Sequence, residues 1–136
     1  MQMTGKKTSN IADIKEHTFD VVLNKPGGGP IGLTVEVRSD LSLPVQNVQK
    51  RITDKAVAKA KRNKTFTAEE REQNRYDMIT AAIVSFKWGK NADGEEASFN
   101  GEQLPFTPEN ALKIYKALPF AVKQLDDAIG DETNFF

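Results

Sequence analysis

Two runs of alternating apolar and polar residues flank a Pro/Gly-rich break near the start of the chain. The apolar positions recur at every second residue and are Phe19, Val21, Leu23, Ile31, Leu33, Val35 and Val37. The break, residues 24–30, holds three consecutive glycines and two prolines. Alternation of this kind places one set of side chains on one face of a strand, so it predicts a β-hairpin over residues 17–38. A lone hairpin is marginal in water, so we expect the rest of the chain to cover its apolar face.

Helical spacing and end signals predict that this cover is helical. Pro44 suits the first position of a helix, and Thr67 with Glu70 forms a capping-box pattern. Thr107 before Pro108 marks another start, and Pro119 forces a break before a last helix. The predicted helices span residues 44–62, 67–88, 108–118 and 119–129. We therefore expect one α+β domain over residues 16–130, in which an N-terminal hairpin packs against a mainly helical part. A flexible arm (residues 1–15) and a short tail (residues 131–136) flank the domain.

Composition narrows the classes of protein to which the chain can belong. It has 136 residues, 38% of them hydrophobic and 28% charged, which is typical of a single globular domain. It has no cysteine, which excludes disulfides, thiolate metal sites and a cysteine nucleophile. No apolar run approaches the ~20 residues that span a bilayer. We expect a cytosolic protein with no membrane partner.

The residues that usually carry catalysis form no recognisable site. His17 is the only histidine, and we expect it to be partly buried at the start of a strand. The adjacent carboxylates Glu69/Glu70, Glu95/Glu96 and Asp126/Asp127 point in different directions if helical, so spacing alone does not bring them to one site. The glycine run precedes a strand and lacks the Lys-Ser/Thr pair of a phosphate-binding loop, so we interpret it as a flexible turn. The sequence predicts a binding protein and not an enzyme, with no cofactor and no metal.

The segment from residue 50 to residue 64 is strongly basic. Seven basic residues and one acidic residue give it a formal charge of +6 in a chain whose net charge is zero. Arg51, Lys55, Lys59 and Arg62, the basic stripe, share one helical face and are expected in solvent. The stripe fits a solvated helix end, or a docking surface for nucleic acid or for an acidic protein. Zero net charge and the lack of a recognition motif argue against nucleic acid. An acidic pole formed by Asp126, Asp127, Asp131 and Glu132 opposes it, so we expect self-association.

The second half of the chain resembles tail assembly chaperones of long-tailed, siphovirus-type bacteriophages. Three pieces within residues 76–136 carry the resemblance: the run Ile83-Val84-Ser85-Phe86-Lys87-Trp88-Gly89, the helix start Leu104-Pro105-Phe106-Thr107-Pro108-Glu109-Asn110, and the closing stretch from Leu118-Pro119-Phe120 to Ile129. An acidic, Gly-containing turn separates the first two. The hairpin and the basic segment have no counterpart in that pattern.

The resemblance implies a non-enzymatic function in the host cytoplasm. Such chaperones bind the tape-measure protein, assist assembly of the tail tube and are absent from the mature virion. Many also exist in a longer, frameshifted form that contacts the tail-tube protein. Candidate partner-binding residues are the basic stripe and the aromatics Tyr115, Phe120, Phe135 and Phe136, whereas Trp88 is expected to anchor the core or its rim. Two alternatives remain open: a nucleic-acid-binding module that uses residues 50–64, and a structural head–tail or tail component of the virion.

Overall fold

The predicted hairpin is present in the computed structural model, which describes residues 8–136. Strands β1 (Phe19–Asn24) and β2 (Pro30–Val37) pair antiparallel, with Val21 opposite Val35. Gly28 and Gly29 in the connecting turn have φ angles of 97° and 92°, a backbone region in which glycine is free of the Cβ penalty. Residues 1–7 of the predicted arm lie outside the described residues. The rest of the arm is exposed and holds a short 3-10 helix, Ile11–Asp13.

A third strand replaces the last six residues of a predicted helix. Helix α2 covers Ala68–Ala82, and the chain then extends directly into strand β3, Ile83–Trp88. The prediction of one helix over residues 67–88 is therefore wrong beyond Ala82. The sequence of this segment is compatible with a helix as well as with a strand. Apolar residues recur at helical spacing from the middle of α2 into the segment, at Tyr76, Ile79, Ile83 and Phe86. Pairing with the free edge of β2, with Phe86 opposite Val35, decides in favour of the strand.

The other predicted helices form close to their expected bounds. They are α1 (Leu43–Ala60), α3 (Pro108–Ala117) and α4 (Pro119–Gly130). The Thr67–Glu70 capping box and the Thr107 cap are both present. Asn63 has a φ of 55°, a left-handed conformation that stops the chain from continuing α1. Local end signals therefore position the helix termini, as predicted.

The core lies between one face of the sheet and helices α2, α3 and α4. The sheet has the order β1-β2-β3, and its buried face carries Val21, Leu23, Leu33, Val35, Val37 and Ile83. From the helical side come Ile79, Ala111, Ile114, Tyr115, Ala121, Val122, Leu125 and Ile129. The expected α+β fold, a hairpin covered by helices, is confirmed, with β3 as an addition.

The opposite face of the sheet is polar and linked across its strands. Lys87 on β3 bonds both carboxylate oxygens of Asp20 on β1, at 2.9 and 3.1 Å. Glu36 on β2 accepts hydrogen bonds from Thr18 and Ser85 at 2.7 and 2.9 Å. An antiparallel sheet can pack one face on the core and expose the other to solvent. The polar residues that alternate with the apolar ones in the sequence therefore form the solvent-facing side of this sheet.

The segment between β3 and α3 packs against the sheet. Gly32 is essential to this packing, since a Cβ there would lie 2.3 Å from Cβ of Ala97. Asn100 and Gly101 form a tight turn, closed by a bridge between Phe99 and Glu102. The indole N–H of Trp88 then donates to the Leu104 carbonyl at 2.8 Å. Trp88 thus anchors the rim of the core, as expected.

Candidate interaction surface

Helix α1 is long but contributes little to the core. Only Val45 of its 18 residues is buried. Val48, Ile52, Ala56 and Lys59 are half-buried, and their spacing of three to four residues places them on one line along the helix. That line faces α2, the main neighbour of α1. Beyond its first turn, α1 is therefore an arm held mostly by one other helix.

The basic stripe lies on the flank of α1 next to α2 and is partly engaged there. Arg51 lies 3.7 Å from the carboxylate of Asp77, and Lys59 lies 3.1 Å from that of Glu70. The Lys59 ammonium also sits 5.8 Å from the centre of the Phe66 ring. The Lys59 side chain retains 26% of its exposure, so the expectation that all four stripe residues point into solvent is wrong for Lys59.

Glu70 joins the stripe to the start of α2. Its carboxylate accepts the backbone N–H of Thr67 at 3.0 Å and also meets Lys59. The Thr67 backbone hydrogen bond, followed by the bond from Lys59, lowers the pKa of Glu70 below its ordinary value. Half of the stripe therefore connects two helices of the same chain, whereas Lys55 and Arg62 are exposed and form no salt bridge within residues 8–136.

The outermost face of α1 carries a set of residues that the sequence analysis missed. At ~100° per residue, Leu43, Lys50, Asp54, Val57 and Lys61 fall within about 60° of one another, opposite the line that faces α2. All five are exposed; Leu43 keeps 71% and Val57 51% of its accessible surface. The detectable signal was an apolar residue at position 43 and again at 57, with Lys50 midway between them.

A shallow cavity of about 350 Å³ opens beside α2, between α1 and α4. Its apolar floor consists of Ile52, Phe66 and Met78, and Arg75 pairs with Asp126 at its edge. The basic stripe does not line this cavity. The cavity is therefore a separate feature from the charged surface of α1.

The four aromatic candidates have different environments. Tyr115 is 2% exposed, and its hydroxyl lies 2.9 Å from the Thr80 hydroxyl. Phe135 is fully buried, with its ring edge-on to Phe19 at 6.2 Å. Phe120 is half-buried against the core, and Phe136 is 55% exposed. Only Phe136 of the four presents most of its side chain at the surface, while Tyr115 and Phe135 stabilise the fold.

His17 lies at the surface just before β1. His17 is exposed, and not partly buried as expected, because it precedes β1 and bonds Phe135 only through its backbone N–H. Within residues 8–136 no three His, Cys, Asp or Glu side chains converge as a metal site would require. No helix in that part of the chain is long and apolar enough to cross a membrane.

Comparisons with known proteins do not place this chain in a family. No family model, no curated protein and no solved structure matches this chain.

Proposed function

We propose that this chain is a non-enzymatic tail assembly chaperone of a long-tailed bacteriophage that binds the tape-measure protein. The supporting observation is helix α1, which has 18 residues, one buried side chain and a strongly basic far end. Because α1 buries only Val45, it adds little to the hydrophobic core of the domain. An exposed arm with charged and apolar side chains suits a protein whose task is to hold another chain.

The tape-measure protein is proposed as the partner because residues 76–136 resemble these chaperones. In the structure, the motif residues of that stretch belong to one unit. Phe86 and Phe106 lie ring to ring at 5.3 Å, and Trp88 bonds the segment that leads to α3. On this proposal the C-terminal half is the scaffold, and α1 is the part that faces the client.

The wider cellular role follows from the same proposal. The chaperone would act in the host cytoplasm, associate with copies of itself and be absent from the finished virion. A longer, frameshifted form would bring tail-tube subunits to the bound tape measure. Phe136 is 55% exposed, so an added segment has room at this position.

Co-expression with the tape-measure protein of the same genome tests the proposal. The tape-measure protein should stay soluble and copurify with this chain, whereas it should aggregate with an unrelated helical protein of similar size and charge. Failure to copurify at moderate salt would contradict the proposal.

Nucleic acid binding is the second candidate, because five exposed cations of the segment from Lys50 to Lys64 form no salt bridge within the described residues. A gel-shift series with random duplex DNA separates the two candidates. Phosphate contacts release counterions, so true DNA binding would weaken steeply between low and moderate salt. Under the chaperone proposal we expect no defined complex at moderate salt. A tight, salt-steep complex would favour the nucleic-acid function.

A further inference from the structure

A second cavity, of about 260 Å³, lies between the sheet, helix α3 and the turn at residues 98–101, and we call it the turn cavity. No charged residue is among those that line it, which are Ile31, Leu33, Trp88, Ser98, Phe99, Asn100, Ile114 and Leu118. The cavity beside α2 differs in this respect, because Arg71, Arg75 and Asp126 border it. Burial of an unpaired charge is costly, so the lining of the turn cavity favours a neutral ligand.

The walls of the turn cavity are held in place by the fold itself. Leu33 and Ile114 are each 2% exposed and belong to the hydrophobic core. The turn is closed by two backbone hydrogen bonds between Phe99 and Glu102, at 2.7 and 3.1 Å. A preformed site loses little binding free energy to the ordering of loops and side chains, so even a small ligand can bind it measurably.

Two aromatic rings border the turn cavity, Trp88 from β3 and Phe99 from the turn. Both side chains are half-buried. Neither ring packs against another aromatic ring within residues 8–136, in contrast to Phe86, which lies against Phe106. Aromatic pairs favour centroid separations of about 4.5–7 Å, so a ring that enters the cavity can pair with Trp88, with Phe99 or with both.

We propose that the turn cavity is a binding site for one neutral aromatic ring. Its volume supports this size of ligand, because an apolar cavity of about 150 Å³ holds benzene and sites for drug-sized ligands begin near about 300 Å³. A cavity of about 260 Å³ therefore admits a single ring with a small substituent. Ser98 and Asn100 are exposed where they border the cavity, so they can meet a polar substituent on that ring. The inference stands on the cavity and does not depend on the proposed function.

The probe that tests the site is p-cresol, a single ring with one hydroxyl group. It should bind the full chain with a Kd on the order of 1 mM, as expected for so small a ligand. The indole N–H resonance of Trp88, the only tryptophan, and the amide resonances of Phe99 and Ile114 should shift during an NMR titration. The saturated alcohol with the same carbon skeleton should bind at least about threefold more weakly, because it forms no aromatic pairs. Equal affinity for the two compounds would overturn the assignment of an aromatic ligand.

A matched pair of substitutions tests the location of the site. Ser98→Phe adds a ring where the ligand would sit and should raise the Kd for p-cresol about tenfold or more. Ser9→Phe adds the same ring at an exposed position that does not line the cavity, and should leave the Kd unchanged within about twofold. Equal affinity of both variants and the wild type would overturn the site. The wild-type shift map decides independently of the variants, since shifts scattered over the surface would also overturn it.

A blocked pentapeptide with one tyrosine between glycines separates two sources of the ring. If the cavity takes a side chain of another protein, the peptide should bind with a Kd within about threefold of that of p-cresol, and Ser98→Phe should weaken both. Binding of p-cresol without the peptide would support a site for a free small molecule. Absence of saturable binding of either probe up to about 10 mM would overturn the inference. Copurification of the tape-measure protein tests the proposed function separately, so failure of one does not decide the other.

Discussion

The side-chain amide of Gln124 takes the place of a neighbouring strand at the outer edge of β1. Its Oε1 accepts the backbone N–H of Asn24 at 2.9 Å, and its Nε2 donates to the Asn24 carbonyl at 2.8 Å. The Asn24 side chain in turn donates to the Val22 carbonyl at 3.2 Å. Unpaired strand edges invite pairing with other chains, so the Gln124 amide both attaches α4 to the sheet and occupies that edge at Asn24.

Gln124→Ala should lower the free energy of unfolding by about 1 kcal/mol, because it removes two hydrogen bonds at a partly exposed site. Gln124→Glu should be at least as destabilising at neutral pH, since a carboxylate would face the Asn24 carbonyl. Urea unfolding followed by circular dichroism measures both effects. Gln73→Ala, on the exposed surface of α2, is the control, and an equal loss in that variant would contradict a special role for Gln124.

Acid should destabilise the protein through Glu36. The hydrogen bond from Thr18, then that from Ser85, and the nearby charge of Lys87 lower the pKa of Glu36 below its ordinary value. The unfolded chain therefore binds this proton at a higher pH than the folded chain does. The stabilisation is present above the unfolded pKa, near 4.5, and is lost as the pH falls through the folded pKa.

Thermal unfolding between pH 7 and pH 3 tests this with Glu36→Gln. The wild type should be the more stable protein at pH 7, and the difference should shrink as the pH falls. Glu102→Gln, whose carboxylate forms no salt bridge within residues 8–136, should show no such convergence. A pH-independent gap for Glu36→Gln would contradict the role of its charge.

Tyr115 should remain protonated until the protein unfolds in alkali. Burial raises the pKa of Tyr115 well above its ordinary value of 10.0. Its stabilising contribution is therefore present below the unfolded pKa and is lost as the pH rises beyond it. A titration of phenolate absorbance should show one tyrosine that ionises together with unfolding; ionisation of both tyrosines in the intact fold would contradict the burial argument.

Tyr115→Phe should cost about 1 kcal/mol because it leaves the Thr80 hydroxyl without its partner. The double variant Tyr115→Phe/Thr80→Val should recover part of that loss, since neither polar group is then left unpaired. Urea unfolding of the two single variants and the double variant measures the coupling. Strictly additive losses would show that the 2.9 Å contact carries no coupling energy.

Trp88→Ala should act mainly on stability. Truncation of a buried aromatic typically costs about 3–5 kcal/mol, and we expect the lower end because Trp88 is only half-buried. Trp88→Phe should cost about 1 kcal/mol, the value of the indole bond to Leu104. Unfolding followed by circular dichroism measures both, since the variants lack the only tryptophan. Unchanged unfolding with loss of partner binding would instead make Trp88 a contact residue.

Self-association should be weakened by salt. The end of α4, at Ile129 and Gly130, lies near Val45 at the start of α1, whereas the basic segment continues past the far end of α1. Opposite poles at the two ends favour head-to-tail contact between copies. Light scattering behind gel filtration should give a mass above 15.1 kDa at micromolar concentration that falls as salt is added. A monomer at every salt concentration would reject the electrostatic contact.

Sequence patterns with a local physical cause predicted most of the elements. The alternation of residues 19–37 specified the hairpin because side chains on a strand point to opposite faces whatever lies around them. Thr67, Thr107 and Pro119 positioned helix ends because caps act within one turn of backbone. The family resemblance stays a prediction, since no comparison bears on it.

Tertiary contacts decided the features for which the local pattern has two solutions. Residues 83–88 suit either a helix or a strand, and the open edge of β2 selected the strand. Helical spacing predicts a basic stripe on one side of α1 and a mixed face on the opposite side. The position of α2 determines which of the basic residues form ion pairs and which remain in solvent. Phe135 carries no periodic signal, yet the return of the chain end to β1 buries it completely against Phe19. Burial at such positions depends on which distant segment arrives there, and no local spacing encodes that.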